Sequence, residues 1–262
     1  MTADLLSRYD QLRSASRDIN ERIVRVLTGD ETQSAGERLG LVQEGTLIFS
    51  DESDMSVLMD HAIHFRGEGP SAAERFFAVQ HKQLDGAERD WAEATTRARF
   101  RLLQLGSRLG PGQTETRDLL TGESFLLADR GVADTGAPGQ AMAGYILEFP
   151  GFVVASGGSI SMPEVVPDLL LGMLSKLSYP VGTAAMEALS PRRQDALAVS
   201  VTGALLAAKR ATEGPDGAPV EMGSRQRPSV MSRLQRRPSR NAPCPCGSGR
   251  RYKACCGKEL RA

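Results

Sequence analysis

The sequence predicts an α+β fold, with a helical N-terminal region over 1–95, a small antiparallel sheet or partly closed barrel over 97–160, and a return to helix over 164–211. Three observations carry that expectation. Apolar residues recur every three or four positions up to about residue 95, the period drops to two at Arg97, and Pro163, Pro167 and Pro180 punctuate a return to the helical period. A 40% hydrophobic content over 262 residues supports a real core. This body, 1–211, is followed by a flexible basic linker over 212–240 and a C-terminal module over 241–258.

The first helix is marked by Leu5, Leu6, Tyr9, Leu12, Ile19, Ile23, Val26 and Leu27, and Thr28-Gly29-Asp30 reads as its stop. A short strand is expected at Thr46 to Phe49. Ser53 or Asp54 then caps a helix carrying Met55, Leu58, Met59, Ala62, Ile63 and Phe65, which ends before Gly67. Ser71, with Glu74 three residues on, has capping-box spacing for a helix containing Phe76, Phe77, Val79 and Leu84. After an interruption near Asp85-Gly86, helix resumes from Ala87 through Trp91 to Ala94.

From Arg97, Ala98, Phe100 and Leu102 alternate with Arg97, Arg99 and Arg101, which reads as a strand with one wet, basic face. Further strands are expected at Thr114 to Leu120, Ser124 to Ala128, Ala141 to Phe149 and Phe152 to Ala155, separated by turns such as Thr121-Gly122-Glu123. Helix is expected again at Leu169 to Leu177, Ala184 to Leu189 and Arg192 to Arg210. The longest apolar run, 196–208, falls well short of the roughly 20 residues that span a bilayer, so it reads as a buried helix and no transmembrane segment is expected.

A net charge of zero conceals an asymmetry. From Arg225 onward there are 11 basic residues against Glu259 alone, which leaves 21 basic and 31 acidic residues in the preceding 224. Such a tail favours an anionic partner, whether RNA, an acidic protein face or acidic lipid headgroups; the alternative is that it folds back on its own acidic body. Residues 213–240 are Gly-, Pro-, Ser- and Arg-rich with no apolar period to offset ordering entropy, as in a flexible linker. The first 27 residues mix charges with no uninterrupted apolar stretch of the signal-peptide kind, so the expected compartment is cytoplasmic.

All four cysteines, Cys244, Cys246, Cys255 and Cys256, fall within thirteen residues. In a reducing compartment, and with adjacent cysteines bridging only under strain, a metal is the better reading than disulfides. Four soft thiolates match one Zn²⁺ in a closed tetrahedral site with Zn–S of about 2.3 Å, and iron suits the same Cys₄ cage. A closed site has no open position for water or substrate, which makes it structural rather than catalytic. Gly247 and Gly249 permit the reversal that returns the second pair, while Pro243 and Pro245 stiffen the first. Arg250, Arg251 and Lys253 add positive charge, and Tyr252 supplies a stacking ring, so these four residues are the expected partner-binding surface.

The stretch Cys244-Pro245-Cys246-Gly247-Ser248-Gly249-Arg250-Arg251-Tyr252-Lys253-Ala254-Cys255-Cys256-Gly257 resembles the SEC-C motif, the zinc-binding C-terminal element of the bacterial translocase ATPase SecA. It departs from that pattern in carrying Arg for both lysines and Cys at the fourth ligand position. The resemblance implies a docking role toward a SecB-like chaperone, the ribosome or acidic lipid. The chain lacks a G-x-x-x-x-G-K-[ST] phosphate loop, so ATP-driven translocation is excluded, and no motif places the body in a named family.

Other constellations are weaker. His61 and His64, three apart with Asp60 adjacent and His81 elsewhere, suggest a second metal site, but packing residues on an apolar stripe are the simpler reading. Asp118 to Glu123 suggests an acid pair, but reads as hairpin chemistry. Arg97, Arg99 and Arg101, with Arg108, could bind phosphate or be a solvated sheet face. No nucleophile elbow is present. The expectation is a cytoplasmic zinc-binding adaptor; the alternatives are an enzyme recruited through the knuckle or a non-specific nucleic-acid binder.

Overall fold

The computed structural model describes residues 2–67, 69–162 and 165–213, together with Asn241, Arg251 and Lys253. Of the expected linker, 212–240, residues 212 and 213 are the last of a helix, and 214–240 lie outside the described residues, as do the four cysteines. Helix α1 (Thr2–Val24) buries Tyr9, Leu12, Ser16, Ile19 and Ile23, one face at three- and four-residue spacing. Thr28 does not merely stop it. Its hydroxyl accepts from Glu31 N at 3.1 Å while the Glu31 carboxylate accepts from Thr28 N at 2.8 Å, a capping box that starts α2 (Gly29–Arg38). The sequence reading missed α2 because its apolar face is only Ala35 with Thr32 and Gly36.

A two-stranded ribbon, β1 (Val42–Gln43) and β2 (Thr46–Leu47), leads to α3 (Glu52–His64). The cap of α3 is Asp51 rather than Ser53 or Asp54: its carboxylate accepts from Ser53 N at 2.7 Å and Asp54 N at 3.4 Å. Helix α4 (Ala72–Gln80) has the Ser71–Glu74 capping box its sequence predicts, and ends short of Leu84 in a 3-10 turn. Helix α5 (Gly86–Thr96) buries Trp91 completely, with its indole N–H donating to Asn20 of α1 at 2.9 Å.

Five strands follow: β3 (Arg99–Gly110), β4 (Gln113–Asp118), β5 (Ser124–Ala128), β6 (Ala141–Phe149) and β7 (Phe152–Met162). In keeping with the α+β expectation, they form a barrel, closed in the order β3-β4-β5-β7-β6. Closure needs one parallel seam, between β5 and β7 at Leu127↔Val153, because β6 and the short α6 (Arg130–Thr135, capped by Asp129) intervene in the chain. Inside, Leu103, Leu105, Leu127, Met142, Ile146, Val153 and Ala155 form a separate core, so this small barrel is filled rather than hollow. The outward row, including Phe100, Leu102, Tyr145, Leu147 and Val154, joins the main core with Leu12, Ile19, Leu58, Trp91 and Val201 from the helices.

Strand β7 runs seven residues beyond the expected Ala155. Its small stretch Ser156-Gly157-Gly158 breaks the apolar alternation, yet that stretch lets α3 lie directly on the strand: a Cβ on Gly158 would come 2.5 Å from the Ser56 carbonyl oxygen. Helix α7 (Val165–Lys176) and a 3-10 turn at Ala184–Ala188 lead to α8 (Pro191–Glu213). Leu197, Ala198, Val201, Leu205 and Leu206 of α8 are buried, and Lys209 Nζ binds Asp51 and Asp54 at 2.8 Å each. Among the described residues, no helix is long and apolar enough to cross a membrane.

Candidate functional site

Alternation along β3 sends Arg101 inward in the same row as Leu103 and Leu105, at one mouth of the barrel. This overturns the wet basic face at Arg101, whose side chain is only 5% exposed. Its guanidinium meets three carboxylates: Asp118 at 3.0 Å, Glu148 at 2.8 Å, and Glu187 from the 3-10 turn before α8. Burial works against its charge, but the Glu148 hydrogen bond and the nearby Asp118 and Glu187 charges hold its pKa above the ordinary arginine value.

The other arginines of the expected phosphate face are paired as well, Arg97 with Glu93 at 2.7 Å, Arg99 with Glu187 at 3.2 Å and Arg108 with Asp134 at 2.9 Å. Asp118, fully buried, also shapes the turn: its carboxylate accepts from Leu102 N, Leu120 N and the Thr121 hydroxyl. Asp118 to Glu123 is thus the β4–β5 hairpin the sequence suggests, with Gly122 at φ 85°. Sequence reasoning missed the ion cluster. The available signal was an arginine on the apolar row of a strand, which must find an acid if that row is closed over.

A second buried polar cluster joins α3 to the barrel. Ser156 Oγ donates to Asp60 Oδ1 at 2.7 Å and so receives the His64 Nε2 proton, also at 2.7 Å. A nucleophilic serine needs the reverse, with its proton aimed at histidine, and Ser156, Asp60 and His64 are each at most 5% exposed. His61 Nδ1 lies 3.3 Å from the Tyr145 hydroxyl, and its Nε2 has no hydrogen-bond partner among the described residues. His81 sits apart, with Nδ1 3.1 Å from the Phe77 carbonyl. Among the described residues no three His, Cys, Asp or Glu side chains are grouped to hold a metal.

Burial first, then electrostatic repulsion from Arg38 and the neighbouring His64, push the His61 pKa from 6.5 down to about 3. The unfolded chain takes up this proton below about 6.5 and the folded chain only near 3, so His61 contributes stability that is present above 6.5 and lost as pH falls toward 3. Asp195 opposes this in part, since burial raises its pKa despite hydrogen bonds from Gly67 N and Arg66 N. Comparing urea midpoints at pH 7 and pH 4, the wild type is expected to lose about 2 kcal/mol or more over His61→Phe, which keeps the ring but cannot titrate. Equal losses in the two proteins would contradict the assignment.

Of the residues the sequence singles out for metal and partner binding, Arg251 and Lys253 are described and both are exposed. Cys244, Cys246, Cys255, Cys256, Arg250 and Tyr252 lie outside the described residues. The fit of a metal is therefore a matter of donor chemistry: four thiolates in two close pairs suit Zn²⁺, and residues 240–258 hold no acid or imidazole to compete with them.

Comparison with known families accounts for both parts of the chain. The model of the family described as "Family of unknown function (DUF7986)" matches residues 3–179, two thirds of the sequence. The chain belongs to the DUF7986 family. The SEC-C motif model matches residues 240–258 of this DUF7986 protein. Curated relatives match at that motif. They include the protein translocase subunit SecA of Campylobacter fetus subsp. fetus, 53% identical over 30 residues, and that of Alcanivorax borkumensis, 47% identical over 51 residues. These stretches are 12% and 18% of this chain, and 4% and 6% of the respective SecA chains. SecA of Nitratiruptor sp. is 67% identical over 24 residues, 9% of this chain and 3% of its own. The chain thus spans only a few per cent of these relatives' length. No solved structure matches the DUF7986 protein. Arg99, Arg101, Asp118 and Glu148 fall inside the family match, and Glu187 falls beyond it.

Proposed function

We propose that this protein is a cytoplasmic, bacterial zinc-binding adaptor whose SEC-C tail docks it to a chaperone of the SecB kind, to the ribosome or to another acidic partner. The observation that carries the reading is the SEC-C match over 240–258, a stretch that contains all four cysteines of the chain. Zinc on Cys244, Cys246, Cys255 and Cys256 would cross-link two thiolate pairs and supply the folding energy that so short a segment lacks, about 10 kcal/mol or more for structural sites. The charge distribution supports docking through this end rather than through the body. Arg97, Arg99, Arg101 and Arg108 of the body are each engaged by an acid, whereas Arg251 and Lys253 are exposed.

Charge then provides encounter and much of the affinity. Changing Arg250, Arg251 and Lys253 together to alanine is expected to weaken binding to a purified SecB-type chaperone or to ribosomes about tenfold or more, and to flatten its dependence on salt. The variant retains its metal, because no thiolate is touched. Unchanged affinity and an unchanged salt slope for both partners would refute the docking surface.

A further inference from the structure

Glu187 is carried on the irregular strap between α7 and α8, in which Ser178 and Gly182 have φ of 61° and 76°. The strap reaches the barrel mouth through a hydrogen bond from Gly182 N to the Leu120 carbonyl at 2.8 Å, through the buried Met186, and through the Glu187 carboxylate. Each oxygen of that carboxylate meets a different guanidinium: Oε2 lies 3.2 Å from Arg99 Nε, and Oε1 contacts Arg101 Nη1. Arg101 is also held by Asp118 and Glu148, and lies over the Phe125 ring at 5.3 Å, so its guanidinium keeps two acid partners when Glu187 is withdrawn. A small cleft opens beside it, lined by Thr121 and Gln194 with Leu120, Leu189 and Leu197 as an apolar wall.

An arginine fixed by two other acids, a second arginine beside it whose carboxylate partner is Glu187, and an adjoining amphipathic cleft together describe a receptor with an internal occupant. We propose that Arg99 and Arg101 form a carboxylate-binding site at the barrel mouth, that Glu187 fills it in the unliganded chain, and that a carboxylate ligand displaces Glu187 and lifts the strap. The ligand is either a small organic acid or an acidic side chain of a peptide. None of the residues of this site lies in the SEC-C stretch 240–258, so the proposal is tested apart from the docking function.

The test uses the full chain with Glu187→Ala, acetate and a hexaglutamate peptide as probes, and chloride at equal ionic strength as control. Acetate is expected to raise the thermal midpoint of the variant by about 2–4 °C over chloride, and the response is expected to vanish in Arg99→Gln/Glu187→Ala. In the wild type, displacement is read as faster hydrogen exchange of the Gly182 amide: acceleration by acetate alone assigns a small acid, and acceleration by the peptide assigns an acidic segment. Should Glu187→Ala not fold, Glu187→Gln keeps the side-chain volume, and its Gly182 amide is expected to exchange about tenfold faster than in the wild type. The proposal is overturned if neither probe stabilises Glu187→Ala beyond chloride, if the double variant responds equally, if neither probe accelerates exchange in the wild type, or if the Gln variant exchanges like the wild type.

Discussion

Arg101→Met is expected to lower the stability of the folded chain by about 3–5 kcal/mol, the cost of leaving a partner charge buried and unpaired. The charge left behind is Asp118, which has no exposed surface and, through Leu102 N, Leu120 N and Thr121, also fixes the β4–β5 turn. Glu148 loses its partner too, but its side chain is half exposed and water replaces much of that interaction. Guanidinium or urea unfolding of the wild type and the variant measures the difference. A shift below about 1 kcal/mol would mean that the cluster is a solvated surface pair and that the barrel mouth is open.

The second large effect is expected at Gly158→Ala. A methyl group there would lie 2.5 Å from the Ser56 carbonyl oxygen and 2.6 Å from Val57 Cα, both backbone atoms of α3, so no side chain can rotate away. Relief requires α3 to lift from β7, which separates Asp60 and His64 from Ser156. The expected loss is about 3 kcal/mol or more, with reduced soluble yield. Gly36→Ala is the control, since the atom its Cβ meets, Leu47 Cδ2, ends a side chain that can move. Equal unfolding midpoints for Gly158→Ala and the wild type would contradict the close contact between α3 and β7.

The fold was legible where local patterns decide it. Ser71–Glu74 announces a helix start, and Ser124–Ala128 and Ala141–Phe149 coincide with their strands because turn residues bound each run. Thr28 carries the same capping-box chemistry as Ser71, but in the sequence it reads as a stop because few apolar residues follow it. Alternation revealed the two rows of β3 but not that closure into a barrel would bury both. The acids that hold Arg101 are 17, 47 and 86 residues away, a distance at which periodicity carries no information. The cysteine motif is the reverse case, because its cysteines, glycines and charges lie within one short stretch and its resemblance can be read directly. No comparable motif marks the body, so its membership of the DUF7986 family emerged only from comparison across residues 3–179.

The docking proposal rests on a metal-dependent tail, and one titration tests it. Reduced full-length protein is bound to a purified SecB-type chaperone, a chelator is added in steps, and released zinc and remaining complex are followed together. About one zinc per chain is expected to leave, with binding falling in proportion and returning when zinc is restored, because metal binding supplies the folding energy of the docking surface. A complex that survives complete removal of the metal, or protein that releases no metal, would contradict the account.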